Sequence, residues 1–144
     1  MFWWKKNKKQ SGTLAPGVTE EPTDGCTLKV IVKTDLGNVR KNNEDAGTFV
    51  KVSDEAVIRQ KGYLLLVADG MGGHNAGEVA SKIAMDTISE EYFKKDSNPN
   101  KEKALANAFF TANKKIYELA QLNESYKGMG TTCTVLIVAG QHLY

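Results

Sequence analysis

Two short stretches of this sequence concentrate side chains able to do chemistry. One is Arg40-Lys-Asn-Asn-Glu-Asp45; the other is Asp69-Gly-Met-Gly-Gly-His74. A carboxylate at the mouth of an apolar strand is costly unless it is paired, hydrogen-bonded or holding a cation. Gly70 lets the backbone turn sharply and present a carbonyl oxygen. Carboxylate plus carbonyl is hard-oxygen chemistry, suited to Mg2+ or Mn2+ rather than zinc. The same Asp-Gly pair after a strand also makes an ordinary turn, so residue types alone leave both readings open. The glycines invite a third, since a strand, Gly70, Gly72, Gly73 and a helix start resemble a phosphate cradle. No Gly-Lys-Ser/Thr follows and no Gly-x-Gly-x-x-Gly is formed, so nucleotide binding fails on pattern.

The elements that must hold these residues are legible from periodicity. Leu28, Val30 and Val32 alternate with Lys29 and Lys33, which predicts a half-buried strand over Leu28–Thr34. Thr34-Asp-Leu-Gly37 signals a turn, Thr48–Val52 a second strand, and Arg59–Gly62 a turn into Tyr63–Ala68. That last run is continuously apolar, as in a strand buried on both faces. Beyond the glycine loop, Asn75 and Glu78 form a capping-box pattern. Val79, Ala80, Ile83, Ala84, Ile88 and Tyr92 then make one helical stripe. Ser97–Asn100, with Pro99, ends that helix. A second amphipathic helix carries Leu105, Ala108, Phe109, Ala112, Ile116, Leu119 and Ala120. Gly128-Met-Gly130 breaks it, Thr131–Ala139 reads as a strand, and Gly140-Gln141 turns into His142-Leu-Tyr144. A half-made hairpin leaves an exposed edge, so the sequence reads as unfinished at its C-terminal end.

The chain has 144 residues, 41% hydrophobic and 25% charged, the composition of one ordinary globular domain. Lys and Arg number 19 against 17 Asp and Glu, a net charge of +2 that gives no basic surplus for nucleic acid. The longest apolar runs, Leu64–Ala68 and Val135–Ala139, fall far short of the ~20 residues a membrane span takes. Cys26 and Cys133 lie far apart, with no signal-peptide pattern before them, and read as reduced thiols of a cytoplasmic protein. Residues 1–25 hold Pro16 and Pro22 and no period, so they are expected to be a disordered leader. Its Phe2, Trp3 and Trp4 beside four lysines also fit a membrane-surface contact. The domain proper is then 26–144.

Three segments together resemble one family closely. They are Thr34-Asp-Leu-Gly-Asn-Val-Arg-Lys-Asn-Asn-Glu-Asp-Ala46, Val67-Ala-Asp-Gly-Met-Gly-Gly-His-Asn-Ala-Gly-Glu-Val-Ala-Ser81 and Gly128-Met-Gly-Thr-Thr132. They resemble the first three signatures of the metal-dependent Ser/Thr protein phosphatases of type 2C, in the wording of the bacterial branch. The resemblance implies an α+β fold, a layered β-sandwich flanked by helices (αββα), with a dinuclear Mn2+/Mg2+ centre at one end. It matches Asp69 to the carboxylate that bridges both metals and Gly70 to the residue whose carbonyl binds one of them. Glu44 and Asp45 match the acidic pair that orders the water held by the metals. Arg40 matches the arginine that grips the substrate phosphate, a role suited to a planar guanidinium fork.

The resemblance also implies a reaction: hydrolysis of phosphoserine and phosphothreonine in proteins, in cytoplasmic signal transduction. Phosphorylated proteins and Ser/Thr kinases are the expected partners. Two metals about 3.5–4 Å apart lower the pKa of a bridging water and clamp an in-line displacement at phosphorus. Two departures matter. Eukaryotic relatives carry a histidine, a proposed general acid, directly after the Asp-Gly; here Met71 stands there and His74 follows. His74 is thus the candidate acid, against a plain loop or helix-cap role. The family also continues past the Tyr144 position into a Gly-Asp-Ser-Arg turn and two further metal-binding aspartates. The chain therefore reads as the N-terminal half of a phosphatase domain, with little or no activity alone. The competing reading is a non-catalytic phosphoprotein-binding module, split or degenerate.

Overall fold

A computed structural model describes residues 18–23, 26–39, 42–72 and 76–144. In chain order its elements are β1 (Val18–Thr23), β2 (Cys26–Ile31), β3 (Asp45–Val50), α1 (Glu55–Lys61), β4 (Tyr63–Met71), α2 (Ala76–Phe93), α3 (Lys101–Leu122), β5 (Gly130–Ala139) and β6 (His142–Leu143). Strands β3, β4, β5 and β6 form one sheet in that order, antiparallel throughout. β1 and β2 pair separately as an antiparallel hairpin.

Side chains alternate across a strand, so β4 serves two cores at once. Leu64 and Leu66 join Ile137 of β5 against α2 and α3. The helices answer with alanines at four-residue steps, Ala76, Ala80 and Ala84 on α2 and Ala104, Ala108 and Ala112 on α3, all buried. Such small side chains let two helices and a sheet pack closely. On the opposite face, Tyr63, Leu65 and Val138 meet Val30 of β2, flanked by Phe49, Ile58 and Leu136. The layers, two helices on a sheet with a hairpin across its other side, are part of the expected αββα sandwich.

Local chemistry sets the element ends. Asn100 caps α3 by accepting the Lys103 N–H at 2.9 Å. Asp54 caps α1 by accepting from Ala56 and Val57. α1 stops at Gly62, whose φ of 80° favours glycine and whose missing Cβ leaves room for the Val138 carbonyl. At this end of the molecule Lys61 is buried with its ammonium on the Asn98 carbonyl and over the Tyr92 ring. The Tyr92 hydroxyl donates back to the Lys61 carbonyl at 2.7 Å. Burial, with the Lys101 charge nearby, pushes the Lys61 ammonium below its ordinary pKa. Burial and neighbouring Tyr144 push the Tyr92 phenol up to about 12.

The structure corrects several boundaries. The expected leader overlaps β1, because Val18–Thr23 finds a partner in β2; residues 1–17 lie outside the described residues. The strand expected over Leu28–Thr34 begins at Cys26 and ends at Ile31. A helix, α1, replaces the turn expected at Arg59–Gly62. β4 runs on through Met71, so Asp69 and Gly70 belong to a strand rather than to a loop. They do so because β5 pairs with them, Asp69 facing Thr132 and Gly70 facing Thr131. α3 ends at Leu122, before a 3-10 turn at Glu124–Tyr126, ahead of the glycines expected to break it.

Candidate metal centre

Antiparallel pairing brings the start of β3 against the end of β4. The register sets Asp45 directly opposite Asp69. Residues paired in this way share a face, with Cβ atoms about 4.5–5.5 Å apart. Thr132 of β5 continues the row on the other side of Asp69. This is the face turned away from α2 and α3, and both aspartates are exposed on it. They stand at one end of a groove of about 840 Å3 whose apolar walls include Val30, Val32, Leu65 and Val67.

The backbone around the pair is tightly held. Asn43 accepts the Asp45 N–H at 3.0 Å through its side-chain oxygen, an Asx turn that sets the entry to β3. Its amide nitrogen donates to the Thr34 hydroxyl at 2.6 Å, tying the polar loop to the segment that leaves β2. The Thr131 hydroxyl donates to the Asp69 carbonyl at 3.0 Å. Gly70 is buried, and its N–H donates to the Glu44 carbonyl at 3.1 Å.

The expected acidic pair divides. Asp45 stands beside Asp69, whereas the Glu44 carboxylate lies over the first turn of α2, 2.7 Å from where a Cβ on Gly77 would be. Strand alternation is the reason: consecutive residues at a strand entry leave it on opposite sides. Arg40 and His74 lie outside the described residues. Asn43, Gly77, Thr131 and Thr132 take up roles at the site that residue type alone does not assign. Of these, Asn43, an Asx-turn former before a strand, carries a local signal.

Like charges directly opposite each other on a sheet are destabilising, so a cation between Asp45 and Asp69 would relieve a real cost. Two carboxylates and the Gly70 carbonyl suit a hard cation such as Mg2+ or Mn2+. They make part of a coordination sphere. Among the described residues no group of three or more His, Cys, Asp or Glu side chains could hold a metal. Cys133 packs half-buried on the helix side of the sheet, where burial pushes its thiol pKa up. It packs as a partly buried member of the core, an environment that disfavours the thiolate.

Paired aspartates and a bare glycine peptide at one end of a layered α+β sheet offer oxygen ligands of the kind divalent cations take. Sequence comparison identifies the family. The profile of the family described as protein phosphatase 2C matches residues 39–144, and the chain belongs to that family. Protein phosphatase PhpP of Streptococcus pneumoniae serotype 2 is 34% identical over 120 residues, which cover 81% of this chain and 46% of PhpP. Serine/threonine phosphatase stp of Listeria innocua serovar 6a is 34% identical over 110 residues, 74% of this chain and 41% of that protein. Among solved structures, the catalytic domain of the serine/threonine protein phosphatase PstP in complex with two manganese ions superposes with a TM-score of 0.61 at 33% identity. That match covers 77% of this chain and 43% of the PstP chain. The chain thus spans just under half the length of the curated relatives it matches. Among the described residues no helix is long and apolar enough to cross a membrane.

Proposed function

We propose that this chain carries the first metal-binding elements of a Mn2+- or Mg2+-dependent protein serine/threonine phosphatase. The observation that carries this reading is the β3–β4 register, which sets Asp45 against Asp69 beside the tightly packed Gly70 peptide. Membership of the 2C family and the manganese-bound PstP relative support it. When bound, two such ions supply Lewis acidity and an activated water for in-line attack at phosphorus.

In this reading the Asp69 carboxylate and the Gly70 carbonyl would hold the ions. Asp45 orients water by accepting its hydrogens, while the Glu44 carboxylate lies over Gly77 on the helix side. Arg40 grips the phosphate through two parallel N–H donors. His74 returns a proton to the departing serine or threonine oxygen, which leaves poorly as an alkoxide. No covalent phosphoenzyme forms, which agrees with the raised thiol pKa of half-buried Cys133. Phosphorylated proteins are the substrates. The phosphatase works in the cytoplasm against ATP-dependent Ser/Thr kinases.

The test is a calorimetric Mn2+ titration of the 144-residue chain and of Asp69→Asn, run beside a phosphothreonine-peptide hydrolysis assay. Wild type is expected to take up Mn2+ and Asp69→Asn to lose at least tenfold in affinity, about 1.4 kcal/mol. Equal affinity in the two proteins would sink the assignment of Asp69. Peptide binding that ignores Mn2+ and gives no turnover identifies a phosphoprotein-binding module instead.

A further inference from the structure

Three backbone segments converge behind the aspartate pair, and glycine is what lets them. A Cβ on Gly70 would lie 2.1 Å from the Gly77 carbonyl oxygen and 2.7 Å from the Glu44 carbonyl oxygen. A Cβ on Gly77 would lie 2.7 Å from Glu44 Oε1 and 3.0 Å from the Gly70 carbonyl carbon. The end of β4, the entry to β3 and the first turn of α2 are therefore in backbone contact. The Gly70 N–H is spoken for by Glu44 at 3.1 Å, and Thr131 faces Gly70 on β5. The Asp69–Gly70 peptide is thus held by its N–H bond to Glu44, while the carbonyl carbon of the next peptide, Gly70–Met71, abuts Gly77 from the helix side.

We propose that Gly77, with the Glu44 carboxylate packed over it, is a positioning residue that orients the Gly70 peptide from the helix side. This rests on the phosphatase reading for its purpose, since there the Gly70 carbonyl is a metal ligand. A carbonyl ligand must be aimed to within a few tenths of an ångström, because Mg2+ and Mn2+ hold oxygens at short, fixed distances. Substituting Gly77 forces such a shift. The Gly70 carbonyl carbon is backbone and moves only with its peptide.

The experiment is amide hydrogen exchange on the full chain, read at Gly70 and at Met71, whose N–H shares a peptide with the Gly70 carbonyl, for wild type, Gly77→Ala and Gly47→Ala. Gly47 serves as the comparison because an added Cβ there meets only Val32 Cγ1 at 3.2 Å and Leu66 O at 3.7 Å. Gly77→Ala is expected to speed Gly70 exchange about tenfold beyond any change at Leu66, and to weaken Mn2+ uptake about as much. Gly47→Ala is expected to lower thermal stability without singling out Gly70. Unchanged Gly70 exchange in Gly77→Ala, or an equal rise in both variants, overturns the proposal. Should Gly77→Ala not fold, Glu44→Ala removes the carboxylate over Gly77, and undiminished Gly70 protection in it likewise overturns the proposal. Gly70 exchange needs no metal, so it decides the positioning role whether or not this half of the site takes up Mn2+ by itself.

Discussion

The two faces of β4 divide the labour of the molecule. Leu64 and Leu66, turned toward the helices, are 0% and 2% exposed, whereas Val67, on the other face, is 52% exposed. Two residues beyond Val67 on that open face stands Asp69, paired with Asp45. Tyr63 and Leu65 begin that face buried against β2, and only past them does the strand alternate between holding the fold together and presenting a charged site. The lesson is that the site sits on the less covered face, where carboxylates keep their hydration until a cation arrives.

The largest expected effect tests the buried face. Leu66→Ala should cost about 2–5 kcal/mol by urea denaturation, while Val67→Ala should stay within about 0.5 kcal/mol. Comparable losses would erase the contrast between faces. Next comes the helix interface: Ala108→Leu should cost about 1–3 kcal/mol, because the α2–α3 contact has no room for a branched side chain. A neutral result would mean that the alanines do not set the helix spacing.

A smaller effect comes from the far end of β4, where Tyr92 is held neutral. Its folded pKa of about 12 exceeds the ordinary 10.0, so the unfolded chain loses its proton first. Stability should therefore be full below pH 10 and fall as pH rises toward 12. Lys61 runs the other way, since its lowered pKa makes stability rise as pH climbs toward the ordinary 10.5. Tyr92→Phe isolates the two: it should remove the alkaline loss while costing about 1 kcal/mol at neutral pH for the hydrogen bond to Lys61. Melting curves from pH 8 to 12 check this, and a loss that persists in Tyr92→Phe assigns it elsewhere.

The smallest effect sharpens the comparison most. In the metal-free protein Asp69→Asn should stabilise the fold by about 0.2–1 kcal/mol, by relieving the charge that faces Asp45. The same change should abolish stabilisation by added Mn2+. Stability gained where binding is lost is the signature of a site kept for function. A destabilised Asp69→Asn would instead make the pair structural.

Long periodic segments are legible in the amino-acid sequence. α2, α3 and the heart of β4 and β5 announce themselves because each repeats its pattern over many residues. The three phosphatase signatures are legible as well, and the family profile matches from residue 39 onward. Short elements are not. α1 has only Asp54 and Gly62 to mark its ends and too few turns for a periodic stripe. β1, a run with Pro22 and two glutamates, exists because β2 pairs with it.

By itself the sequence determined the chemistry on offer: aspartates and glycines suited to hard cations, framed by apolar strands and alanine-rich helices. Residue types and local spacing suffice for that much. Only the tertiary structure decided that Asp45, rather than its neighbour Glu44, stands opposite Asp69. It also decided that Asp69-Gly70 ends a strand, and that Gly77 closes on Gly70 from α2. Those facts depend on strand register and on backbone contacts between segments distant in the chain. A shift of one residue in register sends every side chain to the opposite face, and no local pattern records which register wins.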